Sequence, residues 1–182
     1  MDSGGSSHDA NDDKESDMGK GNIQIYCGRG HGKSPAALGT AVQRACHGET
    51  TVIIEFLKGK GLEESEYVKR LEPEIRIFRF EKSEAVYSTL SPEQQSEEVR
   101  NIQNGLNFAR KIMNTDECDL LILDEVLGLI DTGIITADQL CELLKLQRDD
   151  MDLILTGITT DERLCRMADD VVRLDEMKGT GQ

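Results

Sequence analysis

A chain of 182 residues, 37% of them hydrophobic, suffices for one α/β domain with an ordinary core and a terminal extension. Its formal net charge of −14 excludes extended contacts with nucleic-acid backbones, which need a basic surface to displace counterions. Any phosphate ligand must be gripped by a local site. The cysteines, Cys27, Cys46, Cys118, Cys141 and Cys165, are odd in number and form no CxxC pair, which suits a reducing compartment better than a disulfide framework. No run resembles a signal-peptide core or a membrane span, so the expectation is a soluble cytoplasmic protein with neither nucleic acid nor membrane as partner.

Residues 1–20 are rich in Ser, Gly, Asp and Asn, and their acids (Asp2, Asp9, Asp12, Asp13, Glu15, Asp17) face only Lys14 and Lys20. Such a segment buries almost nothing and is expected to be a disordered acidic tail. Residues 21–178 then form one nucleotide-binding α/β domain, and 179–182 a short flexible end. Within the domain, apolar runs of strand length alternate with helical patterns. The expected fold is a three-layer α/β arrangement like that of phosphate-loop NTPases: a mostly parallel sheet of five or six strands with helices on both faces.

The first strand, 23–27, runs into Gly28, Arg29, Gly30, His31, Gly32, Lys33 and Ser34, and an alanine-rich helix over 33–46 follows. Glycines let backbone approach phosphate oxygens, successive N–H groups line the concavity, and the positive end of the helix favours anions. Lys33 adds a point charge, and the Ser34 hydroxyl is a ligand for Mg²⁺. The loop is one residue shorter than the usual pattern, with only Arg29, Gly30 and His31 between Gly28 and Gly32. The competing reading is a glycine turn before a helix. His47 follows this helix and suits its dipole better than it suits catalysis.

A second strand over 51–57 leads into Phe56, Lys58 and Gly59, a loop that is either ligand-facing or a plain surface turn. A helix over 63–71 and a strand over 75–80 come next. Ser91, Pro92 and Gln94 open a long helix over 92–114 with the signature of a capping box. Val99, Ile102, Leu106, Ala109 and Met113 make its core stripe, and Glu93, Glu97, Glu98 and Arg100 its solvated side. The strand over 119–124 ends in Asp124 and Glu125, at the edge where ligand crevices open, so both are candidate Mg²⁺ ligands, directly or through water. A structural reading makes one of them a cap for the next segment. A helix over 137–146, a strand over 152–156, a helix over 161–167 and a last strand over 170–174 complete the order.

Taken together, GRGHGKSPAALGTA, His47-Gly48, EFLKG, LILDE and Leu155-Thr156-Gly157 resemble the ATP:corrinoid adenosyltransferases that act on cob(I)alamin or cob(I)yrinic acid diamide, over about residues 21–178. The short phosphate loop is shared with that family. The resemblance implies transfer of the 5′-deoxyadenosyl group of ATP to the Co(I) centre of a reduced corrinoid, with inorganic triphosphate as the leaving group. Gly28, Gly30, Gly32, Lys33 and Ser34 match the triphosphate loop, Glu125 the acidic residue associated with the metal, and Phe56, Lys58 and Gly59 the loop after the second strand. Lys33 and Glu125 thereby become the candidate catalytic residues. Homodimer pairing is a family analogy.

The chain departs from the family pattern at His31 (lysine), Pro35 (threonine), Gln43 (arginine), Cys46 (glycine), Glu55 (glutamine) and Ile158 (arginine). Lys178 is kept, whereas Gly179 and Thr180 replace a His-Pro pair. Phe80 and Tyr87 are the only stand-ins for aromatic residues that displace the lower cobalt ligand in some members. Three functions follow: an active adenosyltransferase, a relative that binds ATP or corrinoid without turnover, and a phosphate-loop hydrolase that makes ADP, for which the sequence offers no clear water-positioning base.

Overall fold

The computed structural model describes residues 21–57, 69–80, 83 and 85–176. The expectations for residues 1–20, for the helix over 63–71, for Lys58, Gly59 and Lys178 and for residues 179–182 lie wholly or mainly outside that set. Six strands, β1 (Ile23–Cys27), β2 (Thr51–Glu55), β3 (Ile75–Arg79), β4 (Leu120–Asp124), β5 (Asp152–Thr156) and β6 (Asp170–Arg173), form one sheet in the order β3-β2-β4-β5-β1-β6. Every pairing is parallel, so the expected "mostly parallel" sheet is wholly so among the described residues.

The helices are α1 (Lys33–Ala45), α2 (Pro92–Met113), α3 (Gly128–Asp131), α4 (Ala137–Leu144) and α5 (Glu162–Met167). The single turn α3 has no counterpart among the sequence expectations. Ser91 and Gln94 close the capping box of α2 as expected, and Thr136 with Gln139 builds a second one at α4.

The two-residue strand period divides the core into two layers. Along β4, Leu121 and Leu123 belong to the larger cluster under α2 and α4, while Leu120 and Ile122 belong to the smaller one under α1 with Ala37 and Ala41. The same alternation runs along β2, where Val52, Ile54 and Phe56 take the larger cluster and Ile53 the smaller. This parity decides which strand-end side chains meet the phosphate loop.

The core stripe of α2 is borne out at Ile102, Leu106, Ala109 and Met113, all buried. Its solvated side needs one correction. Glu98 is only 6% exposed and accepts a hydrogen bond from the Ser83 amide at 2.7 Å, so it ties the segment before α2 to the helix instead of facing water. The helix lies close over the strand ends at Gly105, where a Cβ would lie 2.8 Å from the Phe56 ring and 2.9 Å from Phe80.

Candidate functional site

The loop after β1 is braced from the C-terminal side. Gly28 (φ 110°) and Gly30 pass directly beneath the Leu174 carbonyl, with which a Cβ at Gly28 would collide. The Gly28 amide donates to Ile158 O at 2.8 Å and the Gly30 amide to Leu174 O at 2.9 Å. Those two glycines therefore shape the loop by lacking a side chain, while their N–H groups are bonded to the protein's own backbone. The amides suited to an anion belong to the first turn of α1, where helical geometry provides no partner.

Lys33, the first residue of α1, is buried at 6% exposure. Its Nζ donates to Gly28 O at 2.8 Å and Gly30 O at 2.7 Å, so the loop's carbonyls solvate a charge that would otherwise be costly to bury. Arg29 and His31 lie exposed on the outside. The Arg29 amide reaches Asp175 Oδ1 at 3.4 Å, and His31 Nε2 lies 2.9 Å from Glu176 Oε1. Both contacts are on the solvent side, where a pair such as His31 and Glu176 contributes little. Asp175 is held below the usual carboxylate range, first by the Arg173 side chain and then by the Arg29 amide.

Opposite the loop, Ser34 Oγ donates to Asp124 Oδ1 at 2.8 Å, and Thr156 Oγ1 donates to the same oxygen at 2.5 Å. Asp124 is 3% exposed. Its position follows from parity, since it continues the α1-facing register of Leu120 and Ile122. Glu125 leaves the strand with φ 60°, its amide donating to Thr156 Oγ1 at 2.8 Å. Its Oε2 lies 3.8 Å from the point a Cβ on Gly128 would occupy, over the start of α3. The two acids therefore separate: Asp124 is bonded to the loop's serine, and Glu125 reaches toward the next turn.

A cavity of about 230 Å³ opens beside this contact, between α1 (Ser34, Pro35, Leu38) and the sheet (Ile53, Glu55, Asp124). Pro35 is the third residue of α1 and lies on the cavity wall. A proline there costs the helix no internal hydrogen bond, because the first-turn amides have none to lose.

Phe56 requires a correction. Expected as a ligand-facing loop residue, it is fully buried, one step out of phase with Glu55 and therefore on the far face of the sheet under Gly105. Phe80 lies on that face too, against Phe108 with ring centroids 5.6 Å apart. Glu55, which the sequence reading named only as a departure from the family's glutamine and not as a site residue, faces the cavity. The signal was available: in TVIIE, an acid occupies an α1-facing position two residues after Ile53.

Oxygen donors at Ser34 and Asp124 suit a hard divalent cation, and Mg²⁺ commonly combines one or two carboxylates with substrate phosphates and water. Ser34 and Asp124 would hold Mg²⁺ in that manner. Among the described residues, no three His, Cys, Asp or Glu side chains gather where they could hold a metal by themselves. No helix of the described residues is long and apolar enough to cross a membrane.

A parallel α/β sheet whose first strand feeds a glycine loop and a helix, faced by an acidic strand end, defines a phosphate-loop nucleotide-binding protein. The family model described as ATP:corrinoid adenosyltransferase BtuR/CobO/CobP matches residues 19–181, and the chain belongs to that family. It is 23% identical over 159 residues to the corrinoid adenosyltransferase of Escherichia coli (strain K12), covering 87% of this chain and 79% of the relative. A corrinoid adenosyltransferase of Sinorhizobium sp is 24% identical over 161 residues, covering 87% and 74%. Among solved structures, the KaiC-like protein PH0186 from Pyrococcus horikoshii OT3 is similar in fold, with a TM-score of 0.56 at 17% identity over 89% of this chain and 74% of that one.

Proposed function

We propose that the protein transfers the 5′-deoxyadenosyl group of ATP to the Co(I) centre of a reduced corrinoid. The cobalt electron pair forms a bond to C5′ as the C5′–O bond breaks, and triphosphate leaves with that oxygen. The observation that carries this reading, besides family membership, is the convergence of the Lys33 ammonium, the α1 N-terminus and the Ser34–Asp124 pair on one point beside the short loop. The Lys33 ammonium and the helix N-terminus offset negative charge, which is what a polyphosphate leaving group demands, and the Asp124 carboxylate serves only through the cation it would hold.

Lys33 exchanges its two loop carbonyls for phosphate oxygens, and the first-turn amides of α1 fix the tail. Bound Mg²⁺ would supply further charge neutralisation at Ser34 and Asp124. Thr156 holds Asp124 by the oxygen that Ser34 also uses, which fixes the carboxylate's orientation. Glu125 contributes from the turn above. Arg29 and His31 line the outside of the loop, beside Asp175 and Glu176. The scattered cysteines support a cytoplasmic location, and pairing into a homodimer is carried from the family.

The test combines protein, MgATP and chemically reduced corrinoid, and follows the cobalt–carbon bond by its light-sensitive absorbance. Growth of that signal with triphosphate supports the reading; folded protein that binds both substrates and forms neither product contradicts it. One observation favours a second reading, binding without turnover: Pro35 removes an amide from the helix start that faces the phosphates. Saturable MgATP binding with no cobalt–carbon bond would establish that alternative.

A further inference from the structure

At the β6 edge the sheet stands open among the described residues. Asp170, Val171, Val172 and Arg173 are all exposed, with Val171 at 43% and Val172 at 45%, although alternation sends those two side chains to opposite faces. Among the described residues β1 is the only strand beside β6. The other edge, β3, is mostly half-buried and carries Arg76 and Arg79, the kind of charge that blunts an edge. At β6 two neighbouring valines take the centre, and no proline, lysine or glycine interrupts them.

Backbone direction along β6 is set by its pairing with β1. The Leu174 amide donates to Cys27 O at 2.8 Å, and the two strands run in register from Gln24 with Asp170 to Cys27 with Arg173. Asp170, Val172 and Leu174 therefore turn their N–H and C=O groups toward β1, and Val171 and Arg173 turn theirs outward. A second copy related by a two-fold axis presents the same strand antiparallel. Opposed residues of an antiparallel pair either both exchange backbone bonds or both turn away, which restricts the central registers. Pairing about Val172 opposes Asp169 to the partner's Asp175, and pairing about Asp170 opposes that acid to its own copy. Pairing about Val171 instead opposes Asp169 to the partner's Arg173 at both ends and brings no like charges face to face. Asp169 is exposed, with the Ile23 amide on its Oδ2 at 2.8 Å, and the exposed contact of Arg173 with Asp175 is weak enough to exchange.

We propose that β6 is a self-association surface: two copies of this chain join edge to edge, antiparallel about Val171, into one continuous sheet. This inference rests on the homodimer reading and gives it a surface and a register. The Val171 N–H and C=O exchange bonds with the same groups of the partner's Val171, and the Arg173 guanidinium meets the partner's Asp169. Because the contact is isologous, every one of these interactions is made twice. Val171 and Val172 lose water on the two faces of the joined sheet.

The test follows the full chain by sedimentation velocity over a concentration series, with amide hydrogen exchange read by NMR on the same samples. Expected are a monomer–dimer equilibrium and a Val171 amide whose protection rises with concentration. V171P removes an outward N–H and leaves the bonds of Asp170, Val172 and Leu174 to β1 in place, so it should weaken the dimer by about tenfold or more with circular dichroism unchanged. R173D should weaken it too, and D169R/R173D, which swaps the two charges, should restore it. The exchange readout on the unaltered chain does not depend on any variant folding. A dimer whose Val171 protection stays flat, or that is as strong in folded V171P, overturns this inference and leaves the homodimer reading to another face. Folded D169R/R173D that dimerises no better than R173D overturns the register and the inference with it. A monomer at every concentration overturns both readings, and constant protection of its Val171 amide would mean that another segment of the chain covers the edge.

Discussion

Ser34 and Asp124 lie 90 residues apart in sequence, and a single 2.8 Å hydrogen bond joins them across the start of α1 and the end of β4. The bond unites the two motifs that carry the site. Substitutions S34A and D124N are expected to lower the rate of adenosyl transfer by about 10²- to 10³-fold, the scale on which single charge-stabilising groups act. Ser34 is only partly buried, so S34A should keep its unfolding midpoint. Steady-state kinetics beside a urea titration separates the two effects, and transfer within threefold of the unaltered rate in S34A would exclude a role for this contact.

Pro35 is the one residue of the first α1 turn without an N–H. Restoring it by P35T returns a donor at the cavity wall. A hydrogen bond to a charged group contributes about 1.5 to 3 kcal/mol, so MgATP binding should tighten by roughly tenfold or more. Calorimetry reads this directly. Unchanged affinity in folded P35T would mean that the third amide of the helix does not face the phosphates.

The loop, its strand and its helix were legible in the sequence because glycine, lysine and serine at that spacing between an apolar run and an alanine-rich segment admit few other physical readings. The order of strands and helices was legible for a similar reason: the sheet is covered on both faces, so each strand reads as a short apolar run. Side-chain direction at the strand ends was not. Glu55 and Phe56 are neighbours in sequence, yet strand alternation puts the acid in the cavity and the ring in the opposite core layer, and only the register of β2 against β4 settles which is which. Glu98 was misread because its partner, the Ser83 amide, comes from a preceding segment that helical periodicity does not see. The engagement of the Gly28 and Gly30 amides by Ile158 and Leu174 is likewise a long-range contact.

Gly105 lets α2 settle onto Phe56 and Phe80. In G105A the added methyl gains about 1 kcal/mol of helix propensity. It also lies 2.8 to 2.9 Å from two rings, one of them at the Cβ and Cγ of Phe80, which cannot swing aside. Overpacking of this kind costs about 1–3 kcal/mol. A net loss of stability of about 1 kcal/mol is expected in urea unfolding, and a G105A chain more stable than the original would show that α2 adjusts freely.

Cys118 is buried just before β4, and its thiol is pushed up from 9.0 to about 11, chiefly by desolvation. The folded state thus holds its proton to higher pH than the unfolded chain. Between about pH 9 and 11 the unfolded state binds fewer protons, so stability falls as pH rises, by about 2 to 3 kcal/mol in all from this group. Below pH 9 the group has no effect on the slope. C118A should flatten the alkaline part of the stability curve, measured by denaturant titration at successive pH values. In the native protein at neutral pH, exposed Cys46 should react with a thiol reagent far ahead of Cys118, and equal rates would contradict this burial.

The most direct measurement is a single turnover with reduced corrinoid and limiting MgATP, in which cobalt–carbon bonds and inorganic triphosphate are counted in one sample. One triphosphate per bond, with both lost in K33A, is expected if the loop grips the leaving group while cobalt takes the sugar carbon. MgATP bound at saturation beside reduced corrinoid, with no bond formed and no triphosphate released, would contradict it.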